Sequence, residues 1–173
     1  AHMMMVTQWF DVIKPDATLY VGLHFGTLLS IMAFYFKDII LMTMAFIHGS
    51  LCPDKRRNDN FNLALCLLMA TIPALIVGFL IKPYIAHLQN NLTIIAFSSI
   101  IFGSLLAFID DYMPINDDQI TKKRAIFIGI GQLLAFFPGG SRLGTTITVA
   151  RILGMSRAAS FRFSMLLSIP VVL

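Results

Sequence analysis

Residues 136–146, Phe136-Phe137-Pro138-Gly139-Gly140-Ser141-Arg142-Leu143-Gly144-Thr145-Thr146, gather the groups in this chain best suited to chemistry on an anion. Arg142 offers a planar guanidinium that holds two phosphate oxygens at once. Ser141, Thr145 and Thr146 add hydroxyls, and Gly139 and Gly140 let a backbone come close to a ligand. The flanking apolar runs, 125–137 and 147–153, are each too short to cross a bilayer, which needs about 20 residues. The pattern predicts a half-helix, a Pro-Gly-Gly turn and a second half-helix capped by Ser141, with Arg142 in its first turn. A helix N-terminus presents unpaired N–H groups and partial positive charge, which suits a phosphate. The plainer alternative is a serine-capped turn beside a surface arginine. Between membrane-length apolar segments, however, that arginine needs a partner.

The elements around the turn are membrane elements. The chain is 57% hydrophobic and 13% charged, with a mean hydropathy of +0.80. A soluble domain has about 25% charged residues. The fold class expected is all-α: a polytopic integral membrane bundle with re-entrant broken helices. The net charge of +4 comes from small basic clusters, so it reads as membrane topology and not as nucleic-acid binding. Cys52 and Cys66 lack metal-ligand spacing, and no disulfide is inferred. All nine acidic residues are Asp. The chain reads as one partial membrane domain, a piece of a longer protein.

Residues 1–13 are apolar, Met-rich and too short to span; they read as the end of a first re-entrant hairpin. Spanning helices are expected over 17–47, 61–81 and 92–109, a second re-entrant hairpin over 125–154, and a further span beginning at 161–173. Loops 48–60 and 110–124 each carry three consecutive basic residues, whereas loop 82–91 carries a single lysine, Lys82. The positive-inside rule places both basic loops in the cytoplasm. The second hairpin then enters from that side and turns back near mid-depth. A faint repeat sets His24-Phe25-Gly26-Thr27-Leu28-Leu29-Ser30-Ile31 over Arg162-Phe163-Ser164-Met165-Leu166-Leu167-Ser168-Ile169. Opposite running directions for these segments would make it an inverted-topology repeat, with a site where two re-entrant turns meet.

The run Pro138-Gly139-Gly140-Ser141-Arg142-Leu143-Gly144-Thr145-Thr146-Ile147 resembles the Pro-Gly-x-Ser-Arg-Ser-Gly-x-Thr-Ile motif of the undecaprenyl-diphosphate phosphatases, the bacitracin-resistance family. Leu153-Gly154-Met155-Ser156-Arg157, Phe163-Ser164, Ser168-Ile169-Pro170 and Leu23-His24-Phe25-Gly26-Thr27-Leu28 are similar to other family segments. The chain departs at Leu143, usually serine, and at Thr145, often alanine. Residues 1–6 resemble the end of the family's N-terminal motif, with His2 as its histidine; Ala1-His2-Met3 also has the look of a cloning scar.

The resemblance implies hydrolysis of undecaprenyl diphosphate to undecaprenyl phosphate and inorganic phosphate by a multi-pass protein of the bacterial cytoplasmic (inner) membrane. It also implies recycling of the lipid carrier for peptidoglycan synthesis, with bacitracin resistance as a consequence. Catalytic roles are expected for His2, Ser141 and Arg142, and substrate binding for Gly139, Gly140, Thr145 and Thr146. His2 suits either nucleophilic or acid/base work. The resemblance further implies a divalent cation, Mg²⁺ or Ca²⁺, held by glutamates ahead of residue 1 and by no residue of this chain. These 173 residues alone are therefore expected to be inactive. The partners expected are the lipid diphosphate and the bilayer, with no nucleic acid. The alternative function is a transporter or flippase for a phosphorylated lipid, since broken helices and inverted repeats also build transporters. His24 is expected to pack inside the bundle, and Arg151, Arg157 and Arg162 to anchor the cytoplasmic boundary.

Overall fold

The computed structural model describes residues 17–51, 58–85 and 92–172. His2, segment 1–13 and residues 52–57 and 86–91 lie outside the described residues. Among the described residues every regular element is a helix: α1 (Ala17–Phe34), α2 (Phe36–Leu51), α3 (Asp59–Ile85), α4 (Leu92–Tyr112), α5 (Lys122–Gly131) with a 3₁₀ extension (Gln132–Phe136), α6 (Arg142–Ile152) and α7 (Arg157–Val172).

Two of these, over Asp59–Ile81 and Thr93–Tyr112, are long and apolar enough to cross a membrane, and the α1–α2 pair adds a third if it counts as one span. This is a multi-pass membrane protein. The outward faces of α3 and α4 are rich in exposed Leu, Ile and Phe, as lipid-facing surfaces must be, because lipid tails solvate these side chains and water does not.

The helix expected over 17–47 is bent by 77° between Phe34 and Phe36. The apolar run is interrupted there by Lys37 and Asp38, and Asp38 is drawn towards α7, where Arg162 Nη2 reaches its Oδ1 at 2.8 Å. Beyond the bend, α2 packs on the start of α3: Phe46 stacks on Phe61 with ring centroids 5.8 Å apart. A Cβ on Gly49 would meet the Phe61 ring at 2.5 Å, so only glycine fits this approach.

Both basic-loop ends lie at one end of the bundle. Cys66 Sγ near the start of α3 donates to Ile120 O at 3.8 Å. The loop between α4 and α5 is also fastened to the α6–α7 junction. Asn116 N–H donates to Gly154 O at 2.9 Å, and the Ser156 N–H and hydroxyl donate to Asp118 at 2.7 and 2.9 Å. Those two bonds hold the Asp118 carboxyl below its usual range, because they favour the ionised form.

α1 and α7, the segments aligned in the faint repeat, pack against each other. α1 ends and α7 begins near the same end, joined across the bend by Asp38 and Arg162, so they run in opposite directions.

The core lies between α3, α5, α6 and α7. Cys66, Ala70, Ala125, Ile128, Ala150 and Phe163 are all at most 1% exposed. Close contact replaces bulk where α5 crosses its neighbours: a Cβ on Gly129 would run into the Ala70 backbone, and one on Gly131 into Val149. Small residues at such crossings let helix backbones approach where no hydrophobic force drives association.

Cysteine scanning tests this arrangement: Lys123→Cys is expected to label from the cytoplasmic side and Gln89→Cys from the outer side. Labelling of both positions from one side would overturn it.

Candidate active site

Residues 122–152 form a helix, a turn and a second helix. α5 continues as 3₁₀ helix through Phe136, rising about 2.0 Å per residue instead of 1.5. This carries the turn towards the end of the bundle away from the basic loops. Phe136 packs beside Gly78 near the far end of α3, and the turn meets α4 at Ser98 and Ser99, in its first third.

The turn itself is tightly determined. Phe137 N–H donates to Leu134 O at 3.2 Å and Gly140 N–H to Phe137 O at 3.0 Å. Gly139 has φ +89°, and a Cβ there would also strike the Ser98 hydroxyl and Ile95 O; both facts demand glycine. The Ser98 hydroxyl is hydrogen-bonded to Pro138 O, and the Ser99 hydroxyl donates to Gly139 O at 3.3 Å. The turn's carbonyls are thus pulled towards α4, away from any anion at the start of α6. These serines were not singled out in the sequence, because nothing in their own segment marks them; the contact is made across 40 residues.

Ser141 caps α6: its Oγ accepts from Gly144 N–H at 3.2 Å, and Thr145 N–H donates to Ser141 O at 2.8 Å. The cap uses a lone pair and leaves the Ser141 proton free to donate. The N–H groups of Ser141, Arg142 and Leu143 have no acceptor among the described residues. Three backbone donors, a hydroxyl and the positive helix end therefore converge.

Arg142 is exposed, and its guanidinium has no ion-pair or hydrogen-bond partner among the described residues, whereas the guanidinium of every other described arginine has one. Arg124 pairs with Asp117, Arg151 with Asp110, Arg157 with Asp110 and Asp111, and Arg162 with Asp38.

The remaining expected residues divide. Gly139, Gly140, Ser141 and Thr145 line a cavity of about 530 Å³ between α4 and α6. Thr145 Oγ1 donates to Arg142 O at 3.0 Å. Thr146 is 1% exposed, lies outside the cavity lining, and its hydroxyl is engaged with Arg142 O and Leu143 O at 2.9 and 3.0 Å. In these rotamers neither threonine has a proton to give a phosphate. Among the described residues no three His, Cys or acidic side chains cluster as metal ligands. His24 is exposed on α1.

Among the buried polar residues, Arg151, expected at a membrane boundary, and Gln132 differ in how they are satisfied. Arg151 is 3% exposed, and its guanidinium donates to Asp110 Oδ1, Met155 O, Asp110 O and Met113 O at 2.6–3.0 Å. Gln132, 2% exposed, has neither carboxamide atom partnered among the described residues. An unpaired buried amide costs about 1–3 kcal/mol, and an apolar side chain of its shape removes that cost. Gln132→Met in the full-length protein is accordingly expected to hold or raise the melting temperature; a clear drop would show that the carboxamide is satisfied.

The model of the family described as bacitracin resistance protein BacA matches residues 1–173. The chain belongs to this family. A relative from Alcanivorax borkumensis is 38% identical over 175 residues, covering 100% of this chain and 65% of its own length. Others are from Alteromonas mediterranea, 36% identical over 174 residues (99% and 65%), and Aliivibrio salmonicida, 33% over 174 residues (99% and 64%). All three are named undecaprenyl-diphosphatase. The chain spans 64–65% of the length of these relatives. The segment whose pattern resembles that family's Pro-Gly-x-Ser-Arg motif is the one whose arginine side chain and first N–H groups have no partner among the described residues.

Proposed function

We propose that the protein to which this chain belongs hydrolyses undecaprenyl diphosphate to undecaprenyl phosphate and inorganic phosphate in the bacterial cytoplasmic membrane. The product would return to peptidoglycan synthesis, and its regeneration would confer bacitracin resistance. The observation that carries this reading is Arg142. It is an arginine without an acidic partner, at a helix start whose first three N–H groups are also free among the described residues. The names of the relatives support the choice of substrate.

In this reading the terminal phosphoryl group sits over the start of α6. Its oxygens take the N–H groups of Ser141, Arg142 and Leu143, the Ser141 hydroxyl and the Arg142 fork. Phosphoryl transfer depends mainly on positioning and on charge stabilisation of the equatorial oxygens, which fixed donors supply without reorganising. The phosphoanhydride P–O bond breaks, and the lipid phosphate leaves as water, directly or through a side-chain nucleophile, replaces it. The resemblance gives His2 the nucleophilic or acid/base part. It also implies Mg²⁺ or Ca²⁺, for which the described residues hold no cluster of three candidate ligands; no step here depends on one. The turn lies towards the end opposite the basic loops, so the head group would enter from the outer leaflet.

The test is release of inorganic phosphate from undecaprenyl diphosphate by the purified full-length protein. Release is expected. Passage of intact lipid across reconstituted vesicles without release would favour the transporter instead.

A further inference from the structure

We propose that the cavity between α4 and α6 receives the first isoprene units of the substrate and excludes its phosphates, and that Leu143 and Gly103 set this preference for a prenyl tail. The inference rests on the phosphatase reading above.

The cavity, about 530 Å³, is within the size range of small-molecule sites. Its lining includes Gly139, Gly140 and Ser141, the residues that lead into the helix start where the reading above seats the phosphate. A molecule whose head rests on the free N–H groups therefore has this space beside its next atoms. The walls are apolar: Phe102, Leu105 and Leu106 from α4, Leu134 from the 3₁₀ turn, and Leu143 and Ile147 from α6.

The polar side chains lining it do not favour a phosphate. Ser99 donates its proton to Gly139 O at 3.3 Å, Thr145 to Arg142 O at 3.0 Å and Thr148 to Gly144 O at 2.7 Å. What these hydroxyls turn outward is lone pairs, which repel phosphate oxygens. Arg142 is not part of the lining. The charged head belongs at the mouth, where Ser141 keeps a proton, and an apolar group belongs inside. A long prenyl chain exceeds this volume, so its remainder stays in the bilayer.

Two residues control the space. Gly103 lines the cavity, and a Cβ built on it meets nothing within 4 Å, so the backbone there leaves room for a side chain to begin beside this space. Leu143 stands where the family pattern has serine; its side chain adds apolar wall next to the α6 start, where a serine would add a hydroxyl.

The experiment uses the full-length protein and two non-hydrolysable probes, farnesyl methylenebisphosphonate and tail-less methylenebisphosphonate, with binding measured by calorimetry. Filling or depleting an apolar pocket by a few carbons changes affinity by about tenfold or more, so Gly103→Phe is expected to weaken the farnesyl probe by at least about tenfold and the tail-less probe by less than about twofold. Leu143→Ser is expected to act in the same direction by about threefold to tenfold, about one methylene-sized contact or less. In turnover of farnesyl diphosphate, the effect is expected on KM more than on kcat. Equal weakening of both probes, or no change in either, would overturn the proposal. If Gly103→Phe does not fold, judged by its melting temperature, Leu143→Ser decides alone. A parent protein that binds the farnesyl probe but releases no phosphate would overturn the phosphatase reading while leaving the tail site to be judged by binding.

Discussion

Arg142→Ala in the full-length protein is expected to lower kcat/KM for the lipid diphosphate by about 10³-fold or more, a loss of about 4 kcal/mol of transition-state stabilisation. The variant should still fold, because the Arg142 side chain holds no other described group in place; its backbone carbonyl, which receives Thr145 and Thr146, is kept in alanine. Arg142→Lys is the sharper test. Lysine restores the charge but presents a single rotating ammonium where arginine presents a fork. A loss of about 10²-fold is expected for it, the size of one oxyanion donor. Near-normal turnover in the lysine variant would remove the two-pronged role. Arg157→Ala serves as comparison: Arg157 is 66% exposed, and its ion pairs with Asp110 and Asp111 lie at the far end of the bundle from the turn.

The second large effect is on stability, and it falls on a residue that takes no part in the chemistry. Arg151→Met is expected to destabilise the full-length protein by about 3 kcal/mol, as removal of one partner of a buried pair does. Four hydrogen bonds from the guanidinium are lost together. Three of the acceptors are backbone carbonyls: Asp110 O and Met113 O at the end of α4, and Met155 O in the connection between α6 and α7. The cost stays at the low end of the usual range because Asp110 keeps Arg157, whose Nε lies 2.7 Å from Oδ2. Melting temperature reads the difference: a fall of several degrees for Arg151→Met, and a much smaller one for Arg157→Ala, since exposed pairs contribute little. Equal, small shifts would show that Arg151 is not the pin that fixes the α6 C-terminus to α4.

Much of this was readable in the residues because the relevant signals are local. Pro138-Gly139-Gly140 breaks the helix by chemistry confined to those positions, and Ser141 caps the next helix through a bond to Gly144, three residues on. Apolar length alone marked α3 and α4. What was hidden depends on partners distant in sequence. The threonine hydroxyls looked available for phosphate because their i−3 and i−4 carbonyl bonds depend on rotamers that composition does not reveal. Arg151, expected at the cytoplasmic boundary, sits at that end but is buried, because Asp110 and the Met113 carbonyl are brought to it by the folding back of α4. The bend before α2 reflects polar residues at 37 and 38 together with Arg162, 124 residues away. Ser98 and Ser99 look like ordinary small residues of a spanning helix until the turn is laid against them.

An experimental structure of the full-length protein with a prenyl methylenebisphosphonate bound tests whether the start of α6 holds the diphosphate. The terminal phosphonate oxygens are expected at about 2.9 Å from the N–H nitrogens of Ser141, Arg142 and Leu143, with the Arg142 guanidinium across two of them and the prenyl chain entering between Gly103 and Leu143. A phosphonate seated elsewhere, for instance beside Arg162 in the smaller pocket formed with Asp118 and Ser156, would contradict it.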